Sequence, residues 1–186
     1  MSTPMETWVI SALLADDLLA LNRATGIIRR RNLPIGGVSL GPSNRPGTLR
    51  LTCIVSSDRP TTDRLANALR KMVDVREVMV HAEADCTSRE HALARVRVSP
   101  AQLSGLLDVV SLYEARIVEE SPHELLIEAT GTGPFMVSLL RALEPFGILD
   151  LARSGPIVVP GPSQTESAGL SRASTTSPRV AAALPA

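Results

Sequence analysis

The chain has 186 residues, 44% of them apolar and 20% charged, the mix of a globular protein of one ordinary domain or two small ones. Its 19 acidic and 19 basic side chains cancel, and only Trp8, Tyr113, Phe135 and Phe146 are aromatic, which argues against a basic nucleic-acid surface or a base-stacking platform. No apolar run approaches the ~20 residues that span a bilayer, and the opening MSTPMETW has neither a basic n-region nor an apolar h-region.

Two cysteines, Cys53 and Cys86, do not make a disulfide framework. A reduced, cytoplasmic protein without a membrane anchor is expected.

The first apolar segment, TWVISALL (7–14), has strand length and ends at Ala15-Asp16-Asp17. From Leu18 the period becomes helical: Leu21, Ala24, Ile28 and Arg31 share a face, Asp16 or Asp17 is a natural N-cap, and Arg29-Arg30-Arg31 favours the C-terminal dipole. Pro34 stops that helix, and IGGVSLG (35–41) reads as a strand. PSNRPG (42–47) is a turn, TLRLTCIVS (48–56) its hairpin partner. A helix follows from Pro60, with Leu65, Leu69 and Met72 as its stripe, and VDVREVMV (73–80) is a fourth strand.

After a polar stretch, AEADCTSRE (82–90), the order recurs. HALARVRVS (91–99) alternates as a strand, a helix follows Pro100, and EARIVEES (114–121) with HELLIEATG (123–131) forms a hairpin. Thr132-Gly133-Pro134 opens a helix whose stripe is Met136, Leu139, Leu140 and Leu143, and GILDLARSG (147–155) is the closing strand. A βαββαβ order found twice implies an α+β protein of two tandem ferredoxin-like sandwiches. The boundaries read from this pattern are 7–81 for the first unit, 82–90 for a connector, 91–160 for the second unit and 161–186 for a tail. That tail, rich in Ser, Thr, Pro and Ala, is expected to be disordered.

Chemistry is sparse. His81, Cys86 and His91 stand five apart, whereas zinc sites favour shorter spacings and four ligands. Glu119, Glu120, Glu124 and Glu128 suit a solvated strand face as well as an acid–base pair. GTGP (131–134) lacks the Lys-Ser/Thr of a P-loop, so a helix cap suffices. Catalytic residues and metal ligands are therefore not assigned, and a binding protein is favoured over an enzyme. The turn Leu14-Ala15-Asp16-Asp17 before the first helix leaves backbone donors for an anionic effector, unless an aspartate caps them itself.

The segment WVISALLADDLLALNRATGIIRRRNLPIGGVSLGPS, with LRKMVDVREV (69–78) and LDLARSGPIVV (149–159), resembles the acetolactate synthase (acetohydroxyacid synthase) small-subunit family. There a strand like ILSVLLEN leads through a turn to a helix with an ALSR-like segment, a K-L-V-D-V signature precedes strand four, and V-A-R-S-G lies on the terminal strand. The likeness spans residues 7–160. It implies an N-terminal ACT domain followed by a second ferredoxin-like domain. It also implies a regulatory subunit, without chemistry of its own, that binds and activates the catalytic large subunit of branched-chain amino-acid biosynthesis. Thiamine diphosphate, magnesium and flavin (FAD) then belong to that partner. A homodimer through the ACT domains would hold an amino-acid effector, typically valine, between copies.

At the implied effector positions the chain departs from the family. Asp16 replaces an asparagine, Leu19 a glycine and Pro34 another asparagine, so valine feedback is expected to be weak or lost. Arg153, Ser154 and Gly155 carry the family motif and are a possible partner contact. The alternative is a stand-alone ACT-domain amino-acid sensor with another target, disfavoured by the second unit. A divergent enzyme on this scaffold lacks a paired acid and base.

Overall fold

A computed structural model describes residues 5–162. Two βαββαβ units follow one another. In the first, β1 (Glu6–Ala15), α1 (Leu18–Arg31), β2 (Ile35–Pro42), β3 (Thr48–Ser57), α2 (Arg59–Arg70) and β4 (Val75–Ala82) form an antiparallel sheet of order β2-β3-β1-β4. The central strand shows why. Trp8, Ile10, Ala12 and Leu14 alternate onto the helix side and pack with Leu51, Cys53, Val55, Leu65 and Leu69. Burying each large side chain of this set stabilises by roughly 1.5–3 kcal/mol. Val9, Ser11 and Leu13 face the opposite side, yet they too are buried.

Both helices are capped as their sequences dictate. Asp17 caps α1, and Asn32 closes it in the left-handed region with φ 49°, its N–H donating to the Arg29 carbonyl. Asp58 caps α2 by accepting the Thr61 N–H at 2.7 Å. The fourth strand starts at Val75, two residues later than its apolar pattern suggests, because Val73 lies in the preceding turn and is 96% exposed.

The second unit comprises β5 (Cys86–Arg97), α3 (Leu103–Leu112), β6 (Arg116–Glu120), β7 (Glu124–Gly131), α4 (Gly133–Leu143) and β8 (Ile148–Arg153), in sheet order β6-β7-β5-β8. Ala92, Ala94, Val96, Leu125 and Ile127 face α3 and α4, where Leu106, Met136, Leu139 and Leu143 complete the core. The polar stretch 82–90 is not a free connector throughout. Glu83–Asp85 is one 3-10 turn, and β5 starts at Cys86, five residues earlier than its alternation implied.

What lengthens β5 is a strand not expected from the sequence. β9 (Ile157–Pro160) pairs antiparallel with Cys86–Arg89, and the Gly161 N–H donates to the Asp85 carbonyl at 2.9 Å. This segment crosses the outer face of the first sheet. Val158 packs with Val9 and Ile54. Pro156 lies so close to Gly37 that a Cβ there would stand 2.6 Å from the proline Cγ, and Ser39 Oγ donates to the Pro156 carbonyl at 2.7 Å. Gly155, at φ 69°, makes the turn into this strap against the Val38 carbonyl. Of the expected tail, Gly161 and Pro162 belong to the described residues; the remainder lies outside them.

Candidate effector and subunit-interface site

The β1–α1 turn is held by the backbone. The Ala15 N–H donates to the Asp74 carbonyl at 2.8 Å and the Asp16 N–H to the Gly47 carbonyl at 3.1 Å. The Asp17 carboxylate accepts the Leu19 N–H at 3.0 Å. One helix N-terminal donor that an anionic ligand would use is therefore already satisfied, and a negative charge stands beside it. Asp16 is exposed next to this cap, and Leu18 and Leu19 are 79% and 49% exposed.

These residues border an open depression lined by Asp17, Leu19, Leu21, Asn22 and Thr25. From Thr25 a second depression of about 300 Å³ runs along Ile28, Arg29, Leu33, Ile35 and Val38 to β2. Together they trace one strip from the helix start to the sheet edge. Because β2 is the terminal strand of its sheet, its outer backbone groups have no ladder partner there. Ile35, Val38 and Leu40 add exposed apolar side chains at 49%, 44% and 43%.

Asp16 and Leu19 sit together at the start of α1, whereas Pro34 lies beyond its other end and offers its carbonyl to the Ser56 N–H at 3.0 Å. The 14-residue helix α1 lies between Asp16 and Pro34, about 21 Å at 1.5 Å per residue, and Leu19 stands in its first turn. Within one copy they do not share a pocket. Leu14 points into the core and is fully buried, so of the neighbouring turn residues Ala15 and Asp17 reach the surface.

Arg153, Ser154 and Gly155 occupy a different place, the exit of β8. The Arg153 guanidinium pairs with Glu90, the Ser154 hydroxyl accepts the His91 N–H at 3.0 Å, and the Ser154 N–H donates to the His91 carbonyl at 2.9 Å. The motif thus anchors the strap that joins the two units.

The other chemical candidates are dispersed. His91 Nδ1 is 2.9 Å from Thr130 Oγ1, Cys86 Sγ donates to the Ala82 carbonyl at 3.4 Å, and His81 Nε2 is buried without a hydrogen-bond partner. Among the described residues there is no cluster of three or more His, Cys, Asp or Glu able to hold a metal. Burial pushes the Cys53 thiol up to about 11. Burial first, then Asp85 and Glu83, raises that of Cys86. Glu119 and Glu124 flank Arg95, at 3.8 and 3.6 Å, and Glu128 faces Arg116 and His91. In GTGP, Thr132 caps α4 and Gly131 gives way to the Phe135 ring. No described helix is long and apolar enough to cross a membrane.

A family model described as the small subunit of acetolactate synthase matches residues 89–160. The acetolactate synthase small subunit of Mycolicibacterium smegmatis is 32% identical over 159 residues, covering 86% of this chain and 94% of that protein. A probable acetolactate synthase small subunit from Methanothermobacter thermautotrophicus is 32% identical over 161 residues, covering 86% and 96%. The crystal structure of the acetolactate synthase small subunit from Thermotoga maritima superposes with a TM-score of 0.77 at 22% identity, covering 83% of this chain and 97% of that one, a likeness of fold. The family model takes in the strap and most of the second unit, the alignments with the two relatives are too long for either unit alone, and the chain belongs to the acetolactate synthase small-subunit family.

Proposed function

We propose that this chain is a regulatory subunit that binds the thiamine-diphosphate-dependent catalytic large subunit of acetolactate synthase and raises its turnover, with no chemistry of its own. The observation that carries this reading is the length of the likeness. A relative named as that small subunit aligns over 159 residues, through both units. A free amino-acid sensor has no use for the second unit. The thiamine diphosphate, magnesium and flavin of the reaction belong to the catalytic partner, and the assembly works in the cytoplasm.

The subunit acts as a homodimer. The open edge of β2, with Ile35, Val38 and Leu40 beside it, pairs with β2 of a second copy and joins two four-stranded sheets. Two-fold symmetry then brings the Asp16–Leu19 turn of one copy to Pro34 of the other. Valine fits this pocket poorly. Its carboxylate meets Asp17, which already holds the Leu19 amide, and the Leu19 side chain stands where a glycine would let the ligand approach the backbone. Pro34 offers neither an amide side chain nor a backbone N–H. Losing two hydrogen bonds to charged groups, roughly 1.5–3 kcal/mol each, weakens binding by about a hundredfold or more.

The test is reconstitution. Added to its catalytic subunit, the chain should co-elute with it and raise acetolactate formation from pyruvate, and millimolar valine should leave most of that rate. The triple variant Asp16→Asn, Leu19→Gly, Pro34→Asn should gain valine sensitivity. Acetolactate formation by the chain alone, or absence of any complex, would overturn the reading; micromolar valine inhibition of the native assembly would overturn the feedback part.

A further inference from the structure

Between the strap and the outer face of the first sheet lies a groove of about 450 Å³. It is separate from the strip along α1 and is formed on β2 and β3 by Ser39, Leu40, Arg50 and Thr52 and on the strap by Ile157 and Val159. Arg50 is the unusual member. Among the described arginines only Arg50 and Arg95 are half-buried; the others are exposed. Arg95 is flanked by two glutamates, Glu119 and Glu124. Arg50 has no ion pair or side-chain hydrogen bond with any described residue, and the carboxylate across the same face, Glu77, is taken by Arg45 at 2.8 Å.

A partly desolvated guanidinium without a counterion costs stability unless something else supplies one. The groove around Arg50 supplies none, for its lining contains no Asp or Glu. The Thr52 hydroxyl there also makes no hydrogen bond to a described residue, whereas Ser39 is spent on the Pro156 carbonyl. Ser154 is likewise spent, accepting the His91 N–H and donating to the Gly155 carbonyl, and the strap side of the wall is aliphatic and wet, with Ile157 and Val159 each 57% exposed. We infer that this groove at the junction of the two units binds a small aliphatic monocarboxylate, its carboxylate on Arg50 and Thr52 and its apolar body against Ile157 and Val159.

The chemistry selects within that class. A guanidinium grips a planar carboxylate with two parallel hydrogen bonds. An amino acid adds an ammonium group that finds no carboxylate in the lining, so the ligand lacks one. A phosphate would leave two charges facing a single cation and the apolar side chains of Ile157 and Val159. Because the ligand touches both β2–β3 and the strap, its binding tightens the link between the first and second units. This inference does not need the catalytic partner to be what is proposed above.

The test uses the full chain and isovalerate (3-methylbutanoate) as probe, followed by titration calorimetry and amide hydrogen exchange. Saturable binding is expected, with slowed exchange at Ile157–Val159. Valine should bind more weakly than isovalerate. Arg50→Gln should weaken isovalerate about tenfold or more, Arg50→Lys less, and Leu19→Gly not at all. Ile157→Asp, at an exposed position where folding is not at stake, should also abolish binding and serves if Arg50→Gln fails to fold. Absence of saturable binding at millimolar isovalerate overturns the inference, as does equal affinity in the Arg50→Gln or Ile157→Asp chain. Loss of binding in Leu19→Gly would place the ligand in the α1 strip and overturn it as well. Partner activation, measured separately, reports on the function proposed above and not on this groove.

Discussion

The two units share one topology but treat the outer faces of their sheets in opposite ways. In the first, Val9, Ser11, Leu13 and Thr52 are buried on the side away from the helices, and Val158 of the strap packs onto Val9 and Ile54. In the second, the corresponding side carries Arg95 between Glu119 and Glu124, and Glu128 between Arg116 and His91. The central strands announce this difference. TWVISALL is almost continuously apolar, as befits a strand covered on both faces, whereas HALARVRV alternates, as befits one with a solvated face. Internal duplication of a fold therefore does not duplicate its environment. One copy became the docking floor for the strap, and the other kept an open, charged surface.

The largest expected effect contrasts the two outer faces directly. Val9→Asn buries an amide at a position 2% exposed and should cost about 3 kcal/mol. Leu93→Asn, on the open face and 37% exposed, should cost less than about 1 kcal/mol. Urea unfolding followed by Trp8 fluorescence and by far-UV circular dichroism measures both, and equal costs would mean that the faces do not differ as described.

A smaller effect isolates the strap. At Gly37 a Cβ would meet Pro156, so Gly37→Ala should lose about 1–3 kcal/mol and speed hydrogen exchange in Ile157–Val159. Gly41, on the same strand, has open space around its Cβ direction, and Gly41→Ala should stay within about 0.5 kcal/mol of the parent. Unchanged exchange in the Gly37→Ala chain would show that the proline does not lock the strap.

The smallest effect separates the units by pH. Hydrogen bonds from Thr61, first its side chain and then its backbone N–H, hold the Asp58 carboxyl below its ordinary value of 3.8, with help from Arg64. A group whose folded pKa is depressed contributes stability above its unfolded pKa and loses it as pH falls through the folded one. Acid should therefore remove this contribution below about pH 4. The cap of α4 is the neutral Thr132 and has no such titration. Comparing Asp58→Asn with the parent from pH 7 down to pH 2.5 should show the two stabilities converging as pH falls; a constant difference would contradict the assignment.

Much of the fold was legible because its causes are local. Apolar period, Asp and Thr caps, Pro34 as a stop and Gly47 in a turn all act within a few residues, and they place eight strands and four helices in order. Of the candidate site, the β1–α1 turn was legible for the same reason, and Asp17 acts as the cap expected of Asp16 or Asp17. The role of Arg153-Ser154-Gly155 in holding the strap was not legible, since its partners, Glu90, His91 and Val38, are distant in sequence.

β9 shows the same division. Ile157-Val158-Val159 are three residues between two prolines, too few for any period to register, and they form a strand because Cys86–Arg89 lies beside them and Val9 and Ile54 lie beneath them. The half-buried, unpartnered state of Arg50 is likewise invisible in TLRLTCIVS, where it reads as an ordinary alternating polar residue. Periodicity and capping are properties of neighbouring residues, so the chain declares them directly. Which faces are covered, and which charges are left without partners, depends on groups brought together from across roughly a hundred residues of chain, and only the folded arrangement decides that.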